Sequence, residues 1–330
     1  MLRLCINLCF SVKYNVMDIL KIEKLNLSFK LEEGVFKTLK DVSFALKRGK
    51  MHALVGESGC GKTMTAMSII DLLPKNAIVD SGKIIYKDKE LSRSELKFLR
   101  GTKIALIPQD PMTSLNPLYT IGNQIAEVVS KDRNLSKQEI KEKIIEVLKL
   151  VKFPNPEEAI NLYPHELSGG MKQRVIIAMA LASNAEIIIA DEPTTALDVT
   201  IQAQIMNLLT ELKEKFDTSI LLISHDLGLI GQYADEISVM YAGRIVESAT
   251  VQEFFTNTLH PYSKALISAL PSNANNIELK TIPGQPPSIQ ERIDGCNFGP
   301  RCECFSKECC LVEPALVECN ENHFVACNRL

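Results

Sequence analysis

Hydrophobic and polar positions alternate along the N-terminal stretches DILKIEKLNLSF and FKTLKDVSFALKRG. This period of about two residues predicts β-strands with one buried face. Three more apolar runs, MHALVG, EIIIAD and SILLIS, predict further strands. EIIIAD is continuously apolar, as is typical of a strand inside a parallel sheet. The pattern therefore predicts an α/β fold whose core sheet has an antiparallel edge.

The segment from about Leu115 to Ala182 has a helical period instead. Within it, SKQEIKEKIIEVLKLV places Lys and Glu between apolar residues at helical spacing: Ile140, Ile144, Ile145, Val147, Leu148 and Val151. Ser136 and Glu139 are typical of a capping box at the start of this helix. The segment MKQRVIIAMALA predicts another amphipathic helix.

Composition limits the class of protein. With 330 residues, 46% of them hydrophobic and 23% charged, the chain has room for one large domain and an extension. A net charge of −3, no Trp and 6% aromatic residues do not favour nucleic-acid binding. No apolar run reaches the roughly 18 residues of a membrane-spanning helix. Residues 1–16 are interpreted as a dispensable leader or a mis-called start before Met17, with an export signal as the alternative.

The stretch GESGCGKT follows a predicted strand and precedes a predicted helix, and it fits the phosphate-loop pattern G-x-x-x-x-G-K-[ST]. Its glycines let successive backbone N–H groups point at phosphate oxygens, and the helix adds its positive N-terminal end. We expect Lys62 to reach the β- and γ-phosphates of ATP and Thr63 to bind Mg²⁺. The alternative is a glycine-rich turn without a ligand. All eight residues are candidates for the nucleotide site: Gly56, Glu57, Ser58, Gly59, Cys60, Gly61, Lys62 and Thr63.

Two carboxylates and a histidine end the predicted strands EIIIADEP and SILLISHD. Ligand sites of α/β proteins lie at the carboxyl ends of strands. Asp191 is therefore a candidate for the Mg²⁺ shell, Glu192 for polarising the attacking water, and His225 for sensing the γ-phosphate. The alternatives are a solvated acidic turn and a structural histidine. Phosphoryl transfer needs mainly positioned charge and a placed water, which these residues can supply.

The segment LSGGMKQR resembles the signature of ATP-binding-cassette (ABC) proteins, and the resemblance implies a phosphate-loop ABC ATPase with a helical lobe inserted after Gln109. Ser168, Gly169 and Gly170 would then form a second phosphate site that completes the nucleotide site of a partner in a head-to-tail dimer. In such proteins a residue placed like Asp198, in TTALD, bridges the dimer.

Two further site residues follow from the same resemblance. Gln109 would contact Mg²⁺ or water and connect to the membrane subunits. Phe29 is the candidate for stacking on adenine, and Phe36 competes with it.

Other segments narrow the resemblance to the oligopeptide/dipeptide permease ATPases. The segments similar to that subfamily are QDPMTSLNP, IADEPTTALDVTIQAQIMNLL and, in the tail, HPYSKALISALP and TIPGQPPSI. Met171 favours the D-type subunit. The resemblance covers about Asp18 to Cys327 and implies an ATPase domain at 17–255, with its helical lobe at 115–182, and an extension at 256–330.

The family implies an ATPase that powers peptide import from the cytoplasmic face of the membrane, where it is peripheral. Its partners would be two integral membrane permease subunits, an F-type ATPase and, indirectly, an extracytoplasmic peptide-binding protein, with no nucleic acid. An importer of nickel or another small solute is an alternative. A second alternative is a soluble ABC ATPase of DNA repair or translation. Those proteins typically carry coiled coils or two cassettes, whereas this chain has one cassette and no sustained heptads. A regulatory nucleotide-binding module is disfavoured because Glu192 is present.

Seven cysteines lie in the last 35 residues. An ATP-driven subunit works in a reducing compartment, which disfavours disulfides. The subfamily's tail pattern selects Cys296, Cys302, Cys309 and Cys327, which implies a [4Fe–4S] cluster, with Zn²⁺ as the alternative. Outside the pattern lie Cys304, Cys310 and Cys319, as spectators or substitute ligands. In the phosphate loop, Cys60 is expected to make the enzyme sensitive to thiol reagents.

Overall fold

A computed structural model describes residues 17–131, 135–195, 197–270, 281–291 and 293–329. The predicted leader at 1–16 lies outside these residues. Two sheets carry the fold, one antiparallel and one mixed. The strands are β1 Asp18–Leu31, β2 Gly34–Lys47, β3 Met51–Val55, β4 Ala77–Tyr86, β5 Lys89–Glu90, β6 Ile104–Ile107, β7 Ile187–Asp191, β8 Ser219–Ser224, β9 Glu236–Tyr241, β10 Arg244–Thr250, β11 Val317–Asn320 and β12 His323–Val325.

Helices flank the mixed sheet on both faces. They are α1 Lys62–Ile69, α2 Arg93–Leu99, α3 Pro111–Ser114, α4 Ile121–Ser130, α5 Lys137–Leu150, α6 Pro156–Ala159, α7 Gly169–Ala182, α8 Val199–Phe216, α9 Leu227–Tyr233, α10 Val251–Thr256 and α11 Pro261–Ser268. Short 3₁₀ turns occur at Pro164–Glu166, Gly299–Arg301 and Lys307–Cys310. Among the described residues, no helix is long and apolar enough to cross a membrane.

The antiparallel sheet has the order β2-β1-β4-β5, as the alternating N-terminal pattern predicts. The mixed sheet has the order β11-β12-β10-β9-β3-β8-β7-β6, and its strands from β9 to β6 are parallel. Every residue of β7 is buried because the strand is covered on both faces. Ile187 and Ile189 pack on the face that carries α1 and the antiparallel sheet, whereas Ile188 and Ala190 pack on the face that carries α4, α5, α7 and α8. The prediction of a core sheet with an antiparallel edge is confirmed.

The helical lobe contains α4, α5 and α7, which pack on one another. Ser136 and Glu139 form the predicted capping box at the start of α5. The prediction that α7 is amphipathic is wrong, because no residue of this helix is exposed. It lies between the core sheet and the rest of the lobe, and a helix enclosed in this way carries buried residues on all sides.

The tail joins the core sheet as an edge hairpin. β12 pairs with β10 in antiparallel register, with Val325 opposite Glu247, and β11 pairs with β12. The Glu247 carboxylate is fully buried; it accepts hydrogen bonds from the backbone N–H groups of Leu259 (2.8 Å) and His260 (3.1 Å) and lies 2.8 Å from Nε2 of buried His323. The tail is thus fastened to the core by a buried polar cluster. The domain division at residue 255 stays a prediction.

Candidate functional site

The predicted phosphate loop leaves the buried strand β3 at Val55 and enters α1 at Lys62. Gly56 has a φ of +150°, and a Cβ there would lie 2.2 Å from the backbone oxygen of Met240. Only glycine fits at this point, where the loop passes over β9. Ser58 and Gly59 at the tip of the loop are exposed, so a ligand can reach their backbone N–H groups.

The Lys62 side chain is buried against the loop that precedes it. Its ammonium group donates hydrogen bonds to the backbone oxygens of Gly56 (2.8 Å) and Glu57 (3.0 Å). The charge is therefore held inside the curve of the loop, where an anion would meet it.

Cys60 does not have the properties of a reactive thiol. The residue is 5% exposed, and burial raises the pKa of its thiol. Reaction with thiol reagents requires an accessible thiolate. The structure therefore contradicts the expected sensitivity at this position.

Thr63 and Asp191 meet at the mouth of the loop. The Thr63 hydroxyl, in the first turn of α1, donates to Oδ1 of Asp191 at 3.3 Å, and Asp191 ends β7. Asp191 is 2% exposed, and burial raises the pKa of its carboxyl group. A hydroxyl and a carboxylate at this spacing are hard oxygen donors of the kind that Mg²⁺ prefers, so the donor set fits the ion.

Glu192, the next residue, has a left-handed backbone with φ of 46°. Its carboxylate accepts hydrogen bonds from the Gln109 amide (3.0 Å) and the Thr195 hydroxyl (2.9 Å), and it lies 3.4 Å from Nδ1 of His225. Burial opposes ionisation, but the Thr195 hydrogen bond and the neighbouring His225 outweigh it and lower the pKa of Glu192. The structure thus brings together Gln109, Glu192 and His225, which sequence reasoning placed in one site.

The residues of the predicted second phosphate site lie elsewhere. Ser168 is exposed and accepts from the Met171 backbone N–H at 3.3 Å, which caps α7. Asp198 is exposed and caps α8 through the backbone N–H of Ile201 at 3.0 Å. Gly170 packs so closely on the same Ile201 that a Cβ would lie 2.8 Å from its side chain. These two helix starts are therefore adjacent.

Across the described residues, no hydrogen bond or ion pair joins Ser168 or Asp198 to the chain's own phosphate loop. Gly169, between Ser168 and Gly170, is half-buried. Among the residues that the structure describes, the two capped helix starts thus make no direct polar contact with the phosphate loop of their own chain.

The two candidates for adenine stacking lie opposite each other. Phe29 in β1 pairs in register with Phe36 in β2, and both are half-buried. Because paired residues lie on the same face of a sheet, the geometry does not separate them. The assignment of Phe29 stays a prediction.

Sequence reasoning missed two contacts of the loop with distant residues. Arg301 in the tail forms an ion pair with the Glu57 side chain, and the Tyr262 hydroxyl accepts from the Glu57 backbone N–H at 3.0 Å. The signal in the sequence was the acidic residue Glu57 within a phosphate-binding loop, because a partly buried carboxylate there needs a basic partner.

Five tail cysteines line one small cavity, with a volume of about 20 Å³. They are Cys296, Cys302, Cys304, Cys309 and Cys327. Burial raises the thiol pKa of Cys302 to about 11 and also raises those of Cys296 and Cys327, whereas a hydrogen bond with Ser306 lowers the pKa of Cys309. Within the described part of the chain, no three His, Cys, Asp or Glu side chains form a group that could hold a metal ion.

Comparison with known proteins gives two family matches. Residues 39–195 match the ABC transporter family, and residues 246–309 match the oligopeptide/dipeptide transporter C-terminal region. A probable peptide ABC transporter ATP-binding protein of Sinorhizobium fredii is 46% identical over 94% of this chain and 95% of its own length. The dipeptide transport ATP-binding protein of Bacillus subtilis is 43% identical over 94% of both chains.

Solved structures agree on the fold. The chain is similar to cbiO1 from Clostridium perfringens, part of an ABC transporter complex, with a TM-score of 0.63 and 29% identity over 73% of this chain and 91% of that one. The ATP-binding cassette MJ0796, in a dimeric post-hydrolysis state with ADP and Pi, also gives a TM-score of 0.63, at 28% identity over 70% of this chain and 98% of that one.

Proposed function

The chain belongs to the ATP-binding proteins of ABC transporters, in the branch of oligopeptide and dipeptide transport, and from this premise we propose that it powers the import of peptides. Its activity as an ATPase follows from the family. The peptide cargo is supported by one observation above all. The match continues beyond the ATPase core into the tail, where residues 246–309 have the oligopeptide/dipeptide type of C-terminal region.

At the nucleotide site, Lys62 would exchange its loop carbonyls for phosphate oxygens of ATP. Thr63 and Asp191 would hold Mg²⁺, which neutralises charge on the phosphates, and Gln109 would lie at the edge of the same shell. The carboxylate of Glu192 is charged at neutral pH and is oriented by Thr195, so it can accept the proton of an attacking water.

His225 would stabilise the γ-phosphate from the other side of Glu192. Its side chain is 63% exposed and adjoins the Glu192 carboxylate, so a ligand can reach it from solvent. An imidazole that donates a hydrogen bond at this place would oppose the charge that develops on the transferred group.

Ser168, Gly169, Gly170 and Asp198 would complete the nucleotide site of a second ATPase of the F type, in a head-to-tail dimer. Two exposed, capped helix starts that lie side by side support this proposal, since helix N-termini favour phosphate. Two integral membrane permease subunits would bind this pair, and the chain would then lie peripherally on the cytoplasmic face of the membrane. A peptide-binding protein outside the membrane would deliver the cargo.

We also propose that Cys296, Cys302, Cys309 and Cys327 hold a [4Fe–4S] cluster, with Zn²⁺ as the competing occupant. All four thiols line one cavity, and such clusters are bound by four thiolates. Because no three of the described side chains form a metal-binding group as they stand, the thiols would have to converge when the cluster binds. Cys304 lines the same cavity and is the available substitute ligand. Anaerobic purification with metal analysis and a visible spectrum tests this. Stoichiometric zinc without the broad visible absorption of an iron–sulfur cluster would overturn it.

Affinity purification of the tagged chain from detergent-solubilised membranes tests the proposed function. We expect two polytopic membrane proteins and a second ABC ATPase to co-purify in stoichiometric amounts. Co-purification with ribosomes or DNA ends, without membrane proteins, would replace the transporter with a soluble ABC ATPase.

A further inference from the structure

Arg301 in the tail forms a two-pronged ion pair with Glu57 in the phosphate loop. Nη1 lies 2.6 Å from Oε2, and Nη2 lies 2.9 Å from Oε1. The Arg301 side chain is 5% exposed, so water screens the pair weakly. A bidentate arginine–carboxylate pair fixes orientation as well as distance.

Glu57 is held at three points. Its carboxylate is bound by Arg301, its backbone N–H donates to the Tyr262 hydroxyl at 3.0 Å, and its backbone oxygen accepts from Lys62 at 3.0 Å. Tyr262 and Arg301 both lie in the C-terminal part of the chain, outside the ATPase core. The conformation of the loop at Glu57 therefore depends on the tail.

Arg301 is fixed by further contacts of its own. Nε donates to the backbone oxygen of Pro283 at 2.8 Å, and Nη1 lies 3.3 Å from the Tyr241 hydroxyl. Its guanidinium group lies 5.8 Å from the centre of the Tyr241 ring, a distance suited to a cation–π contact. The Tyr241 ring packs on Tyr262 and Phe298 with centroids 4.7 and 5.2 Å apart. The guanidinium is thus preorganised before a nucleotide binds.

The negative charge of Glu57 is expected to weaken the affinity of this loop for ATP, which is itself an anion. Glu57 lies between Gly56 and Ser58, so its carboxylate adds a negative charge to the loop that is proposed to hold the phosphates, and like charges repel each other. Arg301 supplies the opposite charge from a side chain that does not belong to the loop. Without it, the loop would present an unpaired carboxylate to a polyanion.

We propose that Arg301 is a positioning residue of the nucleotide site, which neutralises Glu57 and fixes the phosphate loop from the tail. The inference rests on the proposed role of the loop in binding ATP. It assigns to the cysteine-rich tail a function in nucleotide affinity, since Arg301 directly precedes Cys302 in the same turn.

The test measures the affinity of the full-length chain for a fluorescent ATP analogue with Mg²⁺, alongside thermal unfolding. We expect Arg301→Met to weaken binding about tenfold, which corresponds to about 1.4 kcal/mol. Glu57→Gln combined with Arg301→Met removes the unpaired carboxylate and should recover binding to within about threefold of the wild type. A loss caused by general destabilisation would not be recovered by the second substitution.

Arg244→Met is the matched control. Arg244 forms another ion pair between core and tail, with Glu313 at 2.8 Å, and this pair does not involve the loop. We expect its variant to bind the analogue like the wild type. An Arg301→Met variant that binds normally, or a double variant as weak as the single one, would overturn the proposal.

Two further variants cover misfolding of Arg301→Met and failure of the proposed nucleotide site. If Arg301→Met does not fold, Arg301→Lys keeps the charge without the two-pronged geometry and should weaken binding about threefold; unchanged binding would count against the proposal. Lys62→Ala tests the site itself. If Lys62→Ala binds the analogue normally, the proposed nucleotide site is wrong. If Lys62→Ala loses binding while Arg301→Met binds normally, only the role of Arg301 is refuted.

Discussion

Replacing Glu192 by Gln removes the proposed base for ATP hydrolysis and leaves its surroundings nearly intact. The glutamine amide oxygen can still accept the Thr195 hydrogen bond, which is 2.9 Å long in the wild type. It can adopt the same left-handed backbone, with φ of 46°. We therefore expect the free energy of unfolding to change by less than about 1 kcal/mol.

The expected loss in rate is much larger. General-base catalysis contributes about 10²–10⁴-fold, which corresponds to about 3–5 kcal/mol of activation free energy. The pKa of Glu192 is lowered, so the wild-type carboxylate is ionised at neutral pH and the full loss is expected there. Steady-state release of phosphate from Mg·ATP measures kcat, and a fluorescent analogue shows that nucleotide still binds.

Glu186→Gln is the matched control, because Glu186 directly precedes the same strand, β7, at its opposite end. It pairs with Lys87 at 2.5 Å and Lys103 at 2.9 Å, and neither lysine belongs to the phosphate loop. We expect this variant to lose about 1 kcal/mol of stability or less, with an unchanged kcat. A Glu192→Gln variant that folds, binds ATP and hydrolyses it within about threefold of the wild type would refute the role of Glu192 as base.

Three further predictions concern stability and reactivity. Glu247→Ala leaves two backbone N–H groups and His323 without their buried acceptor. We therefore expect chemical denaturation to show a loss of about 3–5 kcal/mol in the free energy of unfolding. Glu253 also contacts His323 but is half-exposed, so Glu253→Ala should lose under about 1 kcal/mol, and equal losses in the two variants would contradict the account. Asp235 accepts from Met51, Lys50 and Lys213, and these contacts outweigh burial and lower the pKa of its carboxyl group. Asp235→Asn should therefore destabilise at pH 7, and the difference in urea midpoint should shrink as the pH falls below about 4; a difference independent of pH would exclude this role. Iodoacetamide should label exposed Cys310 much faster than buried Cys60 at pH 7.5, as followed by mass spectrometry, and comparable rates would show that Cys60 is accessible.

Local patterns predicted most of the fold and the centre of the site. The alternation of hydrophobic and polar residues identified β1 and β2. The site motifs could be identified because each is a short, continuous stretch of sequence that includes the end of one strand: GESGCGKT, EIIIADEP and SILLISHD. Parallel strands deliver their carboxyl ends to one edge, which is why Asp191, Glu192 and His225 could be placed together before their distances were known.

Contacts between distant parts of the chain could not be predicted in this way. Glu57 and Arg301 are 244 residues apart, and no periodicity links them. The burial of α7 on all sides also depends on which elements cover it, and the helical pattern of its own residues does not contain that information. The pairing of β12 with β10 is a long-range contact of the same kind.

Peptide uptake by cells that produce the chain at native levels tests the central claim most directly. Chains carrying Glu192→Gln or Glu186→Gln, at equal abundance, are compared with the wild type for accumulation of a labelled dipeptide and a labelled pentapeptide. We predict that Glu192→Gln abolishes uptake of at least one peptide and that Glu186→Gln supports normal uptake. Normal uptake of both peptides with Glu192→Gln, while ATP hydrolysis by that chain is lost, would contradict the assignment of this ATPase to peptide import.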